Sequence, residues 1–156
     1  MNYIIIFIIS MLPIIELRGA IPVGVGMGID VLPNFLLSVA GNLLPIPFLI
    51  LFGGKVLRYF ASFEKFGKPF RKIIEIGEKK VAKMSSKAQT ALFWGLFAFV
   101  AIPLPGTGGW TGALIAITLG LEFKKAFPPI VLGVATAGVV VSLASYGLVS
   151  AFNVFV

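Results

Sequence analysis

The sequence predicts an all-α integral membrane protein built as an inverted repeat: a re-entrant helical hairpin plus a transmembrane helix, twice over. Three observations carry that expectation. Of 156 residues, 58% are apolar and 12% charged, with a mean hydropathy of +1.04, whereas a soluble domain is about half apolar and about a quarter charged. The apolar residues gather into four stretches, about 3–29, 35–54, 90–121 and 127–156. Ten of the thirteen Lys and Arg lie between Lys55 and Lys87, in the one long polar interval.

A helix needs about 20 apolar residues to cross a hydrocarbon core of about 30 Å. The second and fourth stretches suit that length. The first is broken by the cluster Pro13 to Pro22 and the third by Pro103 to Gly112. Proline removes a backbone donor and clashes with the preceding turn, so both clusters are expected to unwind. The arm before each break is about 10 to 13 residues, or roughly 15 to 20 Å of helix. That reaches about halfway, so each stretch reads as a hairpin entering and leaving on one side. Tyr3 to Leu12 has no preceding Lys or Arg and no small-residue cleavage site after it, so it reads as part of the mature chain.

Charge placement fits the same topology. The basic connector, about 55–89, is expected in the cytoplasm by the positive-inside rule. It holds Lys55, Arg58, Lys65, Lys68, Arg71, Lys72, Lys79, Lys80, Lys83 and Lys87. With the hairpins re-entrant, Lys124 and Lys125 also face the cytoplasm, and the loop at Asp30 to Asn34, free of Lys and Arg, faces outside; with both hairpins crossing fully, the alternative, Lys124 and Lys125 would lie outside. Within the connector, Phe63 to Met84 is amphipathic. Phe70, Ile73, Ile74, Val81 and Met84 recur at helical spacing, and Pro69 suits a first turn. It reads either as a helix on the interface, its lysines toward anionic headgroups, or as an ordinary positive loop.

The halves, about 1–54 and 90–156, form one membrane domain and align at a shift of 92 residues. Leu12-Pro13 falls on Leu104-Pro105, Gly28 to Asp30 on Gly120 to Glu122, Phe35 on Phe127 and Gly41 on Gly133. Entered from opposite sides, they make the inverted plan of many secondary transporters.

Candidate binding residues cluster at the breaks. Glu16 and Arg18 are the charges inside the first stretch, beside Gly19 and Pro22. Ionisable groups in a bilayer pair with one another or face a polar cavity. Two readings stand: an internal Glu16–Arg18 pair locking the hairpin, or Arg18 presenting a permanent planar cation to a phosphate or carboxylate, with Glu16 as counter-charge or protonatable switch. The second tip, Pro105, Gly106, Thr107, Gly108, Gly109, Trp110 and Thr111, offers backbone N–H donors at a helix start, which favour anions. Its glycines equally suit a tight turn and close packing, and Trp110 a substrate stack or a filled tip. Asn42, near Pro45 and Pro47, marks a further broken point.

Enzymatic chemistry finds little footing. There is no Cys or His, no carboxylate pair on one helix face, no metal-ligand cluster, and the glycine run lacks the Lys of a nucleotide-binding loop. No cofactor is implied, and nucleic acid is not an expected partner.

The segments Glu16 to Pro22 and Pro103 to Ala113 resemble the two signatures of the small multidrug export protein family, and the likeness covers nearly the whole chain. The plan is also similar to that of the DedA membrane proteins, which have been linked to moving polyprenyl-phosphate lipids and in which an acidic residue and arginines near the hairpins are implicated. Glu16 and Arg18 match the first hairpin of that plan, and the second tip has no arginine.

The resulting expectation is a multi-pass protein of the inner (cytoplasmic) membrane, a transporter or flippase for an anionic amphiphile such as a polyprenyl-phosphate lipid, acting as a homodimer at least. A proton-coupled exporter of cationic compounds using Glu16 is the alternative, and a non-transporting scaffold the third. Coupling to protons or another ion stays open. Because the chain has no native Cys, Asp30→Cys and Lys124→Cys variants test the topology directly. Impermeant thiol reagent should label the first from outside intact cells and the second only after the membrane is opened.

Overall fold

A computed structural model describes residues 1–63, 67–104 and 106–155; side chains at 73, 78, 80–82 and 152–155 lie outside that description. Lys65, Pro105 and the side chains of Ile73, Lys80 and Val81 therefore fall beyond it. The described residues form eight helices and no strand: α1 Asn2–Met11, α2 Glu16–Gly26, α3 Val31–Leu43, α4 Pro45–Ala61, α5 Gly67–Ala82, α6 Ser86–Ala101, α7 Gly109–Thr118 and α8 Phe123–Phe155.

Leu44 keeps helical dihedrals between α3 and α4, so Val31–Ala61 is one continuous helical stretch of 31 residues, with a mean hydropathy of 2.1 over 18 of them. Phe123–Ala151 is the other stretch long and apolar enough to cross a membrane, with 29 residues and a mean hydropathy of 2.0 over 18 of them. Both start earlier than the apolar runs suggest. The first also ends later, so Lys55 and Arg58 stand on the last turns of α4 rather than in a loop. At about 1.5 Å per residue, α1, α2 and α7 are each roughly 15 Å long, too short to cross.

The two breaks differ. Around Pro13 the chain makes a single turn, closed by the Glu16 N–H donating to the Leu12 carbonyl at 2.9 Å, and helix resumes at once. The expectation that Pro13 to Pro22 unwinds throughout is corrected: Glu16 to Gly19 lie in the first turn of α2, and Pro22 lies inside it. A proline six residues from the helix start removes one hydrogen bond, which the packed helix tolerates. The second break is wider: the described residues 102–104 and 106–108 are non-helical.

Glycines set the closest helix approaches. A Cβ on Gly41 would collide with the Phe7 carbonyl and Ser10 hydroxyl of α1. A Cβ on Gly133 would lie 2.6 Å from Val100 Cβ and 3.0 Å from the Phe97 carbonyl of α6. Each half thus seats the first arm of its hairpin on its long helix at a glycine, as small residues allow. The main core lies where α2, α4, α6, α7 and α8 meet, around Leu17, Ile21, Ile46, Val100, Ala113, Ile130 and Val134.

The ends of the elements sort cleanly. Ser86, Gln89 and Thr90 at the start of α6 line one cavity with Lys124 and Lys125 at the start of α8. Lys55 and Arg58 share another with Gly120 and Glu122. The α6–α7 hairpin therefore returns to the end it left. Tyr146 hydrogen-bonds Asn34 and the Ile29 carbonyl, which puts the α2–α3 turn beside a point about 33 Å along α8 from Lys124.

Overpacking such a contact costs about 1–3 kcal/mol. Gly133→Val should lower thermal stability by that order in a detergent unfolding assay, while Gly147→Ala, in open space, should leave it unchanged or slightly raised.

Candidate functional site

The two hairpin tips meet. Glu16 is 5% exposed and has φ of 51°, a left-handed conformation that costs a residue with a Cβ about 1 kcal/mol or more. That conformation aims its carboxylate across at the start of α7, where Oε1 accepts the Trp110 backbone N–H at 3.1 Å. Gly108, with φ of 148°, lies so close to Glu16 Oε2 that a Cβ there would collide with it. Glu16 thereby supplies the N-terminal cap that α7 lacks locally, since no side-chain cap comes from its own N-cap residue, Gly108.

Arg18 does the converse. Its Nη2 donates to the carbonyls of Val100 at 3.2 Å and Ile102 at 3.1 Å, and its Nη1 to those of Leu104 and Thr107. The acceptors are the spent end of α6 and the loop after it, where helical carbonyls lack partners and a cation is favoured. Thr107 adds its hydroxyl, donating to the Ile102 and Leu104 carbonyls at 2.7 and 2.9 Å. Hairpin one thus places an anion on the helix that begins at the second break and a cation on the helix that ends there. Each contact of this kind contributes up to about 2 kcal/mol when partly buried.

Neither sequence reading of the pair anticipates this. Glu16 and Arg18 form no ion pair with each other among the described residues; residues two apart diverge on a helix, and each reaches across to the second hairpin instead. The lock exists, but it joins the hairpins rather than closing one.

Between the tips lies a cavity of about 420 Å³, lined by Pro13, Ile14, Ile15, Glu16, Arg18, Pro103, Leu104, Gly106, Thr107 and Thr111. Gly106 turns the loop with φ of 82°. Arg18 Nε is buried there without a partner. Behind the start of α7, Asn42 is fully buried with both carboxamide atoms unpartnered, and a Cβ on Gly109 would lie 2.9 Å from its Oδ1. Trp110 fixes the tip by donating its indole N–H to the Met11 carbonyl at 3.1 Å. Of the other expected residues, Gly19 packs on Ile15, and Pro22 is exposed on α2 and does not line the cavity.

A second polar cluster went unnoticed in the sequence. Asn34, fully buried, donates to the Ile21 carbonyl and the Tyr146 hydroxyl, both at 2.9 Å, and Tyr146 donates to the Ile29 carbonyl at 2.6 Å. Asn34, Ser38 and Asn42, each four apart along an otherwise apolar helix, were the available signal.

The family model described as "Putative small multi-drug export protein" matches residues 16–140, from the first charged residue of the tip into α8. The chain belongs to that family. With its apolar helices, membership makes it a membrane protein of an export family. Searches of curated proteins and of solved structures found no match.

No metal-ligating cluster occurs among the described residues. The junction can exchange hydrogen bonds and one proton, the latter at Glu16. Gly108→Ala should displace the Glu16 carboxylate and cost roughly 1–3 kcal/mol, read as a lower unfolding temperature together with a shifted Trp110 emission in a Trp94→Phe background.

Proposed function

We propose that this member of the export family is a transporter, or flippase, that moves an anionic amphiphile such as a polyprenyl-phosphate lipid through the junction of the hairpin tips. The observation that carries the reading is the Glu16 carboxylate on the N-terminus of α7. The site already accepts an anion, and the resident one is tethered and protonatable. A neutral Glu16 has a weaker hold on the α7 donors, leaving them, with Arg18 Nε, for a phosphate or carboxylate headgroup.

Re-entrance and the inverted repeat supply the rest of the cycle. Their support is the return of α6 and α7 to one end, the equivalent seats at Gly41 and Gly133, and the basic residues of α4 and α8 sharing that end. With that end cytoplasmic, the tips stand near the bilayer midplane. Rocking of one half on the other, parting the clasp, alternates access. Four apolar stretches make a thin wall for a pathway, so a homodimer at least, in the inner membrane, is the working unit.

One observation favours the cationic alternative. Both terminal nitrogens of Arg18 are engaged with carbonyls, leaving Glu16 as the charge that protonation can release, as a proton-coupled exporter of cationic compounds requires.

Liposome transport separates the two. Arg18→Ala should slow translocation of a labelled polyprenyl phosphate at least tenfold, and Glu16→Gln should make the remaining rate independent of pH. Uptake of a cationic dye abolished by Glu16→Gln, without any movement of phosphate lipid, would overturn the anionic reading. Two folded and fully active variants would leave the junction a structural clasp.

A further inference from the structure

Away from the tips, α4 and α7 enclose a groove of about 680 Å³. Its walls include Leu44, Phe48, Phe52, Val56, Phe60 and Leu114, and Trp110 closes one end. Two polar groups reach it, and both are committed. The Thr118 hydroxyl donates back to the Leu114 and Ile115 carbonyls at 3.1 and 2.8 Å, and the Trp110 indole N–H is held by Met11. A groove with no free hydrogen-bonding group can hold only hydrocarbon. From Lys55 back to Leu44 it follows about 17 Å of helix axis, close to the roughly 15 Å of one leaflet's hydrocarbon.

The other end is different. A cavity of about 270 Å³ adjoins the groove, sharing Leu57 and Ile117 with it, and is lined by Lys55, Arg58, Gly54, Gly120 and Glu122. The connector helix α5, which packs at this end, carries five Lys and Arg against two Glu. Lys55 lies 5.5 Å from the Phe52 ring centroid, at the seam between apolar groove and charged cavity. Phe70 of α5 packs on Phe60 at 5.9 Å between centroids, and Gly77 packs against the last carbonyls of α7, so the basic connector helix is docked at this same end. An apolar channel that ends at Lys55, beside a basic helix, matches an anionic head on a hydrocarbon tail.

We propose that this groove and cavity form a binding site for one anionic membrane phospholipid, its headgroup against Lys55 and one acyl chain running along α4 toward Trp110. The site is separate from the tip cavity, and its existence does not depend on what is transported. The lipid ties α4, α5 and α7 together, and its chain ends at the tryptophan that fixes the tip of hairpin two. Anionic lipid content of the membrane thereby bears on the junction without touching Glu16 or Arg18.

Tryptophan quenching tests it. A Trp94→Phe background leaves Trp110 as the sole tryptophan. The protein is reconstituted in phosphatidylcholine vesicles containing a minor fraction of either phosphatidylglycerol or phosphatidylcholine brominated near the chain terminus. Brominated phosphatidylglycerol should quench Trp110 at least twofold more than brominated phosphatidylcholine at equal fraction. Lys55→Gln, on an exposed position, should abolish that difference, and Val56→Phe, which fills the groove from an exposed site, should reduce quenching by both lipids. Equal quenching by the two lipids in the Trp94→Phe protein would mean contact with bulk bilayer only and would overturn the site. So would a preference for phosphatidylglycerol that survives Lys55→Gln, or quenching untouched by Val56→Phe.

Discussion

Everything in this fold turns on how the open ends of a broken helix are satisfied from another part of the chain. A helix that stops at Ala101 and begins again at Gly109 presents unpaired carbonyls on one side and unpaired N–H groups on the other, and each such group left buried without a partner costs about 1–3 kcal/mol. The first hairpin answers both needs with two residues of opposite charge, two positions apart. Arg18 collects the carbonyls and Glu16 takes the donors. Neither charge is then an isolated ion, and neither break end is orphaned. The two halves of the chain are consequently coupled through their weakest points.

That solution is not free of cost, and the residual costs are informative. Glu16 holds a left-handed backbone, and the buried Asn42 carboxamide makes no hydrogen bond. An unpartnered buried polar group costs about 1–3 kcal/mol. Strain and frustration of this kind concentrate where a protein changes state. The residues around the tips fit that pattern.

Much of the architecture was legible because a bilayer leaves so few choices. Runs of apolar residues, clusters of proline, glycine and charged or hydroxyl residues in the middle of two of them, and a single basic interval point to helices, breaks and a charged end before any geometry is known. The extent of α4 was less legible, because Lys55 and Arg58 look like loop residues until the helix is seen to carry them past the apolar run. Pro22 misled in the opposite direction, since one missing hydrogen bond does not end a helix that is packed on its other sides. At the site, Glu16, Arg18, the glycines and Trp110 were visible as residue types, and the structure brings them together. What Arg18 touches was invisible. Its acceptors are backbone carbonyls, a group that every residue has and no sequence pattern marks. The Asn34–Tyr146 contact was hidden by its separation along the chain.

That last contact has a mechanical meaning. Tyr146 and Asn34 rivet the base of the first hairpin to α8, while the clasp holds its tip, so this hairpin is pinned at both extremities. Among the described residues the second hairpin has no comparable side-chain rivet at its base, where α7 ends in a turn closed by its own backbone. In side-chain hydrogen bonds, then, the first hairpin is braced at both ends, and the second, among the described residues, is held by the first at its tip alone.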